Sequence, residues 1–234
     1  MSTRPSDVFS RRLHDPAAGG GVSGTSALVP YAMLVEQFNA APPGKLYCLH
    51  GSNAVFRMSL SAAAHALLHG IPMTLVDGTN RFDVYYLAEF ARKFSGRQDA
   101  GCRIAPEQLL QNIFVSRAFT CYQMEALITE RLPAFVQQKQ SPIVIIFGLL
   151  DTFYDEQAPM FEVRSSLQRI IAALHRLKQA NVSVLLASLD VKPASKERAG
   201  LFPKLTSAMD RVYAVHDDEG RARIVGEQRK DLRR

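Results

Sequence analysis

KLYCLHGSNAVFRMSLSAAAHALL, residues Lys45 to Leu68, sets the fold. Leu46 to His50 reads as a buried strand, Gly51 to Arg57 as a tight loop, and the Ala/Leu-rich remainder as a helix. Strand, glycine loop and helix open a phosphate-binding unit. A P-loop, G-x-x-x-x-G-K-[ST], uses backbone N–H groups to cradle phosphates, its Lys to reach the terminal phosphates and its hydroxyl to hold Mg²⁺. In that frame Gly51 keeps the first glycine. Phe56 stands at the second, Arg57 at the Lys and Met58 at the hydroxyl. Gly51, Ser52, Asn53, Arg57 and Ser59 therefore form a degenerate nucleotide- or anion-binding set. Arg57 keeps the charge but its planar guanidinium is broader than an ammonium, and Phe56 lacks the backbone freedom of glycine.

Outward from this unit the pattern repeats. Strands are expected at Ile71–Asp77, Asn112–Ser116, Pro142–Phe147 and Val182–Ala187, the last two as apolar runs suited to the middle of a parallel sheet. Helices are expected at Leu28–Phe38, Phe82–Phe94, Tyr122–Gln137 (interrupted near Pro133) and Met160–Ala180. In the last of these Leu167, Ile170, Ile171, Leu174 and Leu177 face inward. Arg211–His216 and Ala222–Val225 read as a closing hairpin. Ser95–Pro106 and Val191–Lys204 read as polar connections. The fold class is α/β, a mostly parallel sheet flanked by helices and ending in an antiparallel hairpin. Residues 1–27 read as a flexible arm, 28–228 as one domain and 229–234 as a basic tail.

With 234 residues, 47% hydrophobic content and mean hydropathy near zero, the composition is that of a globular protein with a substantial core. No apolar run or leader-like segment is evident, so a cytoplasmic protein without membrane contact is expected. Cys48, Cys102 and Cys121 lack disulfide or zinc spacing. His65 and His69 have helical metal-ligand spacing but no evident third ligand, and no metal is expected. The net charge of +6 suggests a polyanionic partner, nucleic acid first. The segment Arg221–Arg234 carries six basic residues against two acidic ones. Asp77, Arg81, Arg117 and Gln123 fall just past strand C-terminal ends, where open parallel sheets bind ligands. A structural reading stands beside this one, with Asp and Asn capping the next helix and the arginines paired. Asp151, Asp155 and Glu156 follow the fourth strand and, with Asp77, have the oxygen chemistry for Mg²⁺; a solvated acidic loop is the simpler reading.

Three segments, in order, resemble the ATPase core of RecA-family strand-exchange recombinases, especially the archaeal and eukaryotic branch and its paralogues. They are LVDGTNRFDVYYLAEFARKF (Leu75–Phe94), NIFVSRAFTCYQMEALI (Asn112–Ile128), and PIVIIFGLLDTFYDE with its following helix and NVSVLLASLD (Pro142–Asp190). The resemblance spans roughly residues 44 to 216 and implies a RecA-like domain. It also implies ATP-handling positions that this chain alters. Thr79 stands where the family places a catalytic Glu, Phe147 where it places the Walker B Asp, and Leu189 where it places a phosphate-sensing Gln. Phosphoryl transfer needs metal, cations and a positioned water together. A pseudo-ATPase is therefore expected, with no catalytic residues and no cofactor, and with ATP and Mg²⁺ disfavoured. The loop Lys192–Gly200 occupies the position of the family's second DNA-binding loop. Lys192, Lys196, Arg198, Lys204, Arg221, Arg223 and Arg229 are the expected sequence-independent contacts to DNA phosphates. The expected role is a DNA-binding or recombinase-accessory protein in DNA repair or recombination, associating with itself or an active recombinase. A nucleotide- or anion-binding scaffold, or a weak metal-dependent hydrolase using the altered site, are the alternatives.

Overall fold

The computed structural model describes residues 31–39, 44–95, 105–154, 158–190, 193, 195–218 and 221–227. The expected arm, the tail with Arg229, Lys192, Cys102, Asp155 and Glu156 lie outside them.

Among the described residues seven strands form one sheet: β1 Leu46–Gly51, β2 Met73–Asp77, β3 Ile113–Arg117, β4 Ile143–Phe147, β5 Ser183–Leu189, β6 Arg211–Asp218 and β7 Arg221–Glu227. Their order is β3-β2-β4-β5-β1-β6-β7. Every neighbouring pair is parallel except β6 and β7, which run antiparallel. The described residues hold eight α-helices around them: α1 Tyr31–Asn39, α2 Ala54–Leu68, α3 Val84–Ser95, α4 Pro106–Gln111, α5 Cys121–Ala126, α6 Leu132–Lys139, α7 Met160–Gln179 and α8 Leu201–Thr206.

The two-residue period of the strands sorts the core into two layers. Tyr47, Leu49, Ile143, Ile145 and Phe147 pack beneath α1 to α4, with Leu34, Phe38, Leu60 and Leu87. Leu46, Cys48, Val144 and Ile146 pack on the other face, with Ile128, Val163, Leu167, Ile170 and Leu174. Crossovers running toward β3 thus lie on one face and those running toward β7 on the other, as right-handed connections require. Adjacent strands β2 and β4 send their chains to opposite faces, which opens a crevice at their C-terminal ends.

Three expectations need correction and one holds. The loop after β1 is not seven residues long; α2 begins at Ala54, so only Ser52 and Asn53 separate it from the strand. The interruption expected near Pro133 is present. A π-turn at Leu127–Arg131 joins α5 to α6, and this widened turn sits just ahead of a proline that cannot donate to the helical ladder. The connection before β3 contains α4, which starts on Pro106, a residue suited to the first helical position. The basic connection after β5 is not a plain loop either. It folds into a 3₁₀ turn at Lys196–Gly200 and then α8, whose Leu201 and Leu205 are buried one turn apart.

Candidate functional site

The C-terminal edge of the sheet has two unlike halves. The first is the turn between β1 and α2. Gly51 has φ +130°, and a Cβ there would collide with the Val215 carbonyl oxygen, so this tight approach to β6 requires glycine. The Ser52 amide donates to that same carbonyl at 3.0 Å. The Ala54 amide donates to Ser52 Oγ at 3.4 Å, and the Val55 amide donates to the Ser52 carbonyl at 3.1 Å. The amides of Ser52, Ala54 and Val55 are thus already occupied by protein acceptors. Ser59 is fully buried and donates to the Val55 carbonyl at 2.7 Å. Asn53 is exposed and makes no side-chain cap. Arg57 is exposed on α2, with its guanidinium carbon 5.8 Å from the centre of the Tyr86 ring.

The two aromatic replacements in this half meet. Phe56 packs edge-on against Phe147 with ring centres 5.0 Å apart. Phe56 is 4% exposed and Phe147 fully buried. Such a pair adds about 0.5–1.5 kcal/mol beyond its area burial. Apolar carbon therefore fills the space between the first turn of α2 and the end of β4. The guanidinium of Arg81 caps this pair, 5.9 Å from the Phe56 ring centre.

The second half lies over the crevice between β2 and β4. A shallow pocket of about 270 Å³ is lined there by Gly78, Thr79, Arg81, Phe119, Asp151, Thr152 and Leu189. Asp77 positions its wall. This buried carboxylate accepts from the amides of Thr79 (3.1 Å), Arg81 (3.2 Å) and Phe82 (3.0 Å), and from the Thr79 hydroxyl at 3.3 Å. It anchors the 78–82 loop and is not displayed to a ligand. Capping of α3 falls to Asp83, which accepts from the Tyr86 amide at 2.9 Å, while Asn80 takes a left-handed turn with φ 56°. Gly148 also has positive φ (58°), and a Cβ there would strike Thr79 and crowd Asp151. Burial pushes the Asp151 carboxyl above its ordinary value, with Arg81 opposing the shift. Its Oδ1 is buried and has no hydrogen-bond partner among the described residues.

Gln123 is a capping residue. Its Oε1 accepts from the Phe119 amide at 2.9 Å, while Thr120 Oγ1 accepts from the Gln123 amide at 3.2 Å. The sequence signal was Thr120-Cys121-Tyr122-Gln123, the spacing of a capping box. Arg117 is exposed at the end of β3, in register with Asp77. Sequence reasoning did not single out Phe119 or Thr152; Thr152 follows Asp151 in the chain, while Phe119 comes beside it through the sheet topology.

Among the expected DNA contacts, Lys196, Lys204 and Arg223 are exposed, and Arg221 begins β7. Arg198 departs from that set. It is 4% exposed, and its guanidinium donates to the carbonyls of Phe153 and Ala158. It clamps the segment after β4 from below and is not a surface phosphate contact. His65 lies against the Ser61 carbonyl (2.7 Å) and the Phe90 ring. The described residues hold no His/Cys/Asp/Glu group that would bind a metal ion. Cys48 and Cys121 are buried and form no disulfide among the described residues. No helix among the described residues is long and apolar enough to cross a membrane.

Fold and site together define an α/β protein with a mostly parallel sheet and a pocket at its carboxyl edge. No protein-family model matches the chain, and no curated protein matches it.

Proposed function

We propose that the chain is a RecA-like recombinase paralogue without ATPase activity, a DNA-binding or recombinase-accessory protein of DNA repair or recombination. The observation that carries this reading is the Phe56–Phe147 contact. In the resemblance these residues stand at the P-loop's second glycine and the Walker B Asp, and here they pack on each other. A hydrolysing site needs that volume for phosphate and metal.

The remaining chemistry of the edge favours phosphate contact. Arg117 ends β3, Arg81 follows β2, Lys196 follows β5 and Arg223 lies near the start of β7, all exposed toward the same end of the sheet. Strand spacing places the first and last about 29 Å apart. That row is interrupted by acids: Asp190 is exposed and pairs with His50 at 2.8 Å. Cations so spread would hold a backbone without reading its sequence.

Fluorescence anisotropy of labelled single- and double-stranded DNA, across a salt series and with or without Mg-ATP, tests the proposal. Binding that weakens steeply with salt and ignores Mg-ATP is expected. The double variant Lys196→Ala/Arg223→Ala should weaken it and flatten the salt slope. Absence of binding at low salt would defeat the DNA reading.

A further inference from the structure

The pocket over β2 and β4 asks for a ligand of mixed chemistry. Its middle is polar, made by Asp151, Thr152 and the Gly78–Thr79 backbone. Its flanks are apolar. Phe119 follows β3 and Leu189 ends β5, on either side of the two central strands. Phe119 is 68% exposed, an aromatic face with little of its own to cover it. Two hydroxyls of the pocket are already committed: Thr152 Oγ1 donates to the Leu149 carbonyl at 2.9 Å, and Thr79 Oγ1 to Asp77. The carboxylate of Asp151 is left as the acceptor of the site, and an ionised carboxylate accepts only.

Each feature narrows the ligand. The Asp151 carboxylate calls for N–H donors. Arg81 already supplies one positive charge to the Asp151 carboxylate, so a lysine or arginine side chain would enter as a second cation beside it. A neutral donor therefore fits better than a cation. Phe119 calls for a flat ring, and exposed aromatics stack unpaired bases. Arg81 at the rim calls for an anion attached to that ring. The volume, about 270 Å³, sits below the range of whole small-molecule pockets of about 300–1,000 Å³. It suits the base end of a nucleotide with the phosphate outside.

The geometry points to a guanine-binding pocket, in which Asp151 accepts the adjacent N–H groups of the guanine Watson–Crick edge, Phe119 stacks on the ring and Arg81 contacts the phosphate. Adenine, cytosine and uracil each interleave acceptors with donors on that edge and would set an acceptor against the carboxylate. The inference goes beyond the DNA reading and does not require it, because a free guanine nucleotide and an unstacked guanine of a nucleic acid present the same edge.

Isothermal titration of the full chain with GMP, AMP, CMP and UMP tests it. GMP should bind about tenfold to about 100-fold tighter than the others, the discrimination of a good bidentate base contact. Asp151→Asn should abolish the preference, since its NH₂ would face the base's own donors. Phe119→Ala, at an exposed position, should weaken all four while leaving the guanine preference. Equal binding of the four, no binding of any, or a guanine preference that survives Asp151→Asn would overturn the inference. Single-stranded hexamers separate the sources. A hexathymidylate with one central dG binding tighter than GMP supports a nucleic-acid guanine; GMP binding as well as the hexamer supports a free nucleotide. Failure of salt-dependent DNA binding with intact GMP selectivity would remove the DNA reading alone.

Discussion

The β1–α2 turn and the β2–β4 crevice lie on one edge of one sheet and have opposite characters. At the first, Gly51 is held against Val215, the amides of Ser52, Ala54 and Val55 have protein acceptors, and Phe56 and Phe147 pack on each other. At the second, a carboxylate oxygen is without a partner among the described residues, an arginine lines the rim and an aromatic ring faces outward. The difference shows how a binding edge can be divided. Two large apolar side chains close one half by packing on each other. Topology alone keeps the other half open, because the chains leaving β2 and β4 part there. Arg81 touches both halves, over the Phe56 ring and near Asp151.

The comparison can be broken most forcefully from the closed side. Phe147→Ala removes a fully buried ring and should cost about 3–5 kcal/mol in urea unfolding, with Phe56→Ala near the lower end. The double variant should cost less than the sum, with a coupling of about 0.5–1.5 kcal/mol. Strict additivity would show that the two rings do not act together. Arg198→Met, assayed in the same way, should cost about 2–4 kcal/mol by leaving the Phe153 and Ala158 carbonyls without their donor. It should also disturb the open half, since the clamped segment follows directly on Asp151.

A finer test uses pH. Burial raises the Asp151 carboxyl in the folded chain, so the folded state binds its proton more readily than the unfolded one. That group favours folding below the ordinary carboxylate range, and the advantage is lost as pH rises through its raised pKa. Asp151→Asn should remove this component of the stability-versus-pH curve and leave the plugged half unchanged. The smallest effect belongs to Tyr122, outside both halves. Its hydroxyl donates to Glu162, which pushes its pKa up to about 12. Stability should fall as pH rises from about 10, the unfolded value, through about 12. Tyr122→Phe should lack that fall, while leaving neutral-pH stability nearly unchanged.

Much of the fold was legible because its strands are written as apolar runs or alternations between clear breakers. The run Ile143–Phe147 and the stripe along α7 are examples. The short turn after β1 was not legible. A glycine followed by Ser-Asn resembles the start of a longer loop, and only the β6 carbonyl pressing on Gly51 shows why it closes so soon. Arg198 read as a phosphate contact because a basic residue in a polar stretch gives no sign of burial. Yet Leu201 and Leu205, spaced one helical turn apart, were there to mark α8 as packed. For the site, Phe56 and Phe147 were visible separately as departures from a motif, 91 residues apart in the chain. That they touch is a property of the sheet order, which puts the end of β4 beneath the start of α2. Asp77 showed the opposite limit: its residue type suggested a ligand, and its four donors from the 78–82 loop make it a scaffold.

The most direct test of the closed half is urea unfolding of the full chain in millimolar Mg-ATP. A nucleotide bound to the folded state at 100 times its Kd would add about 2.7 kcal/mol. With Phe56 and Phe147 packed together between α2 and the end of β4, the expected midpoint is the same with and without Mg-ATP. A midpoint that rises with Mg-ATP, and loses that rise in Arg57→Ala, would contradict the account.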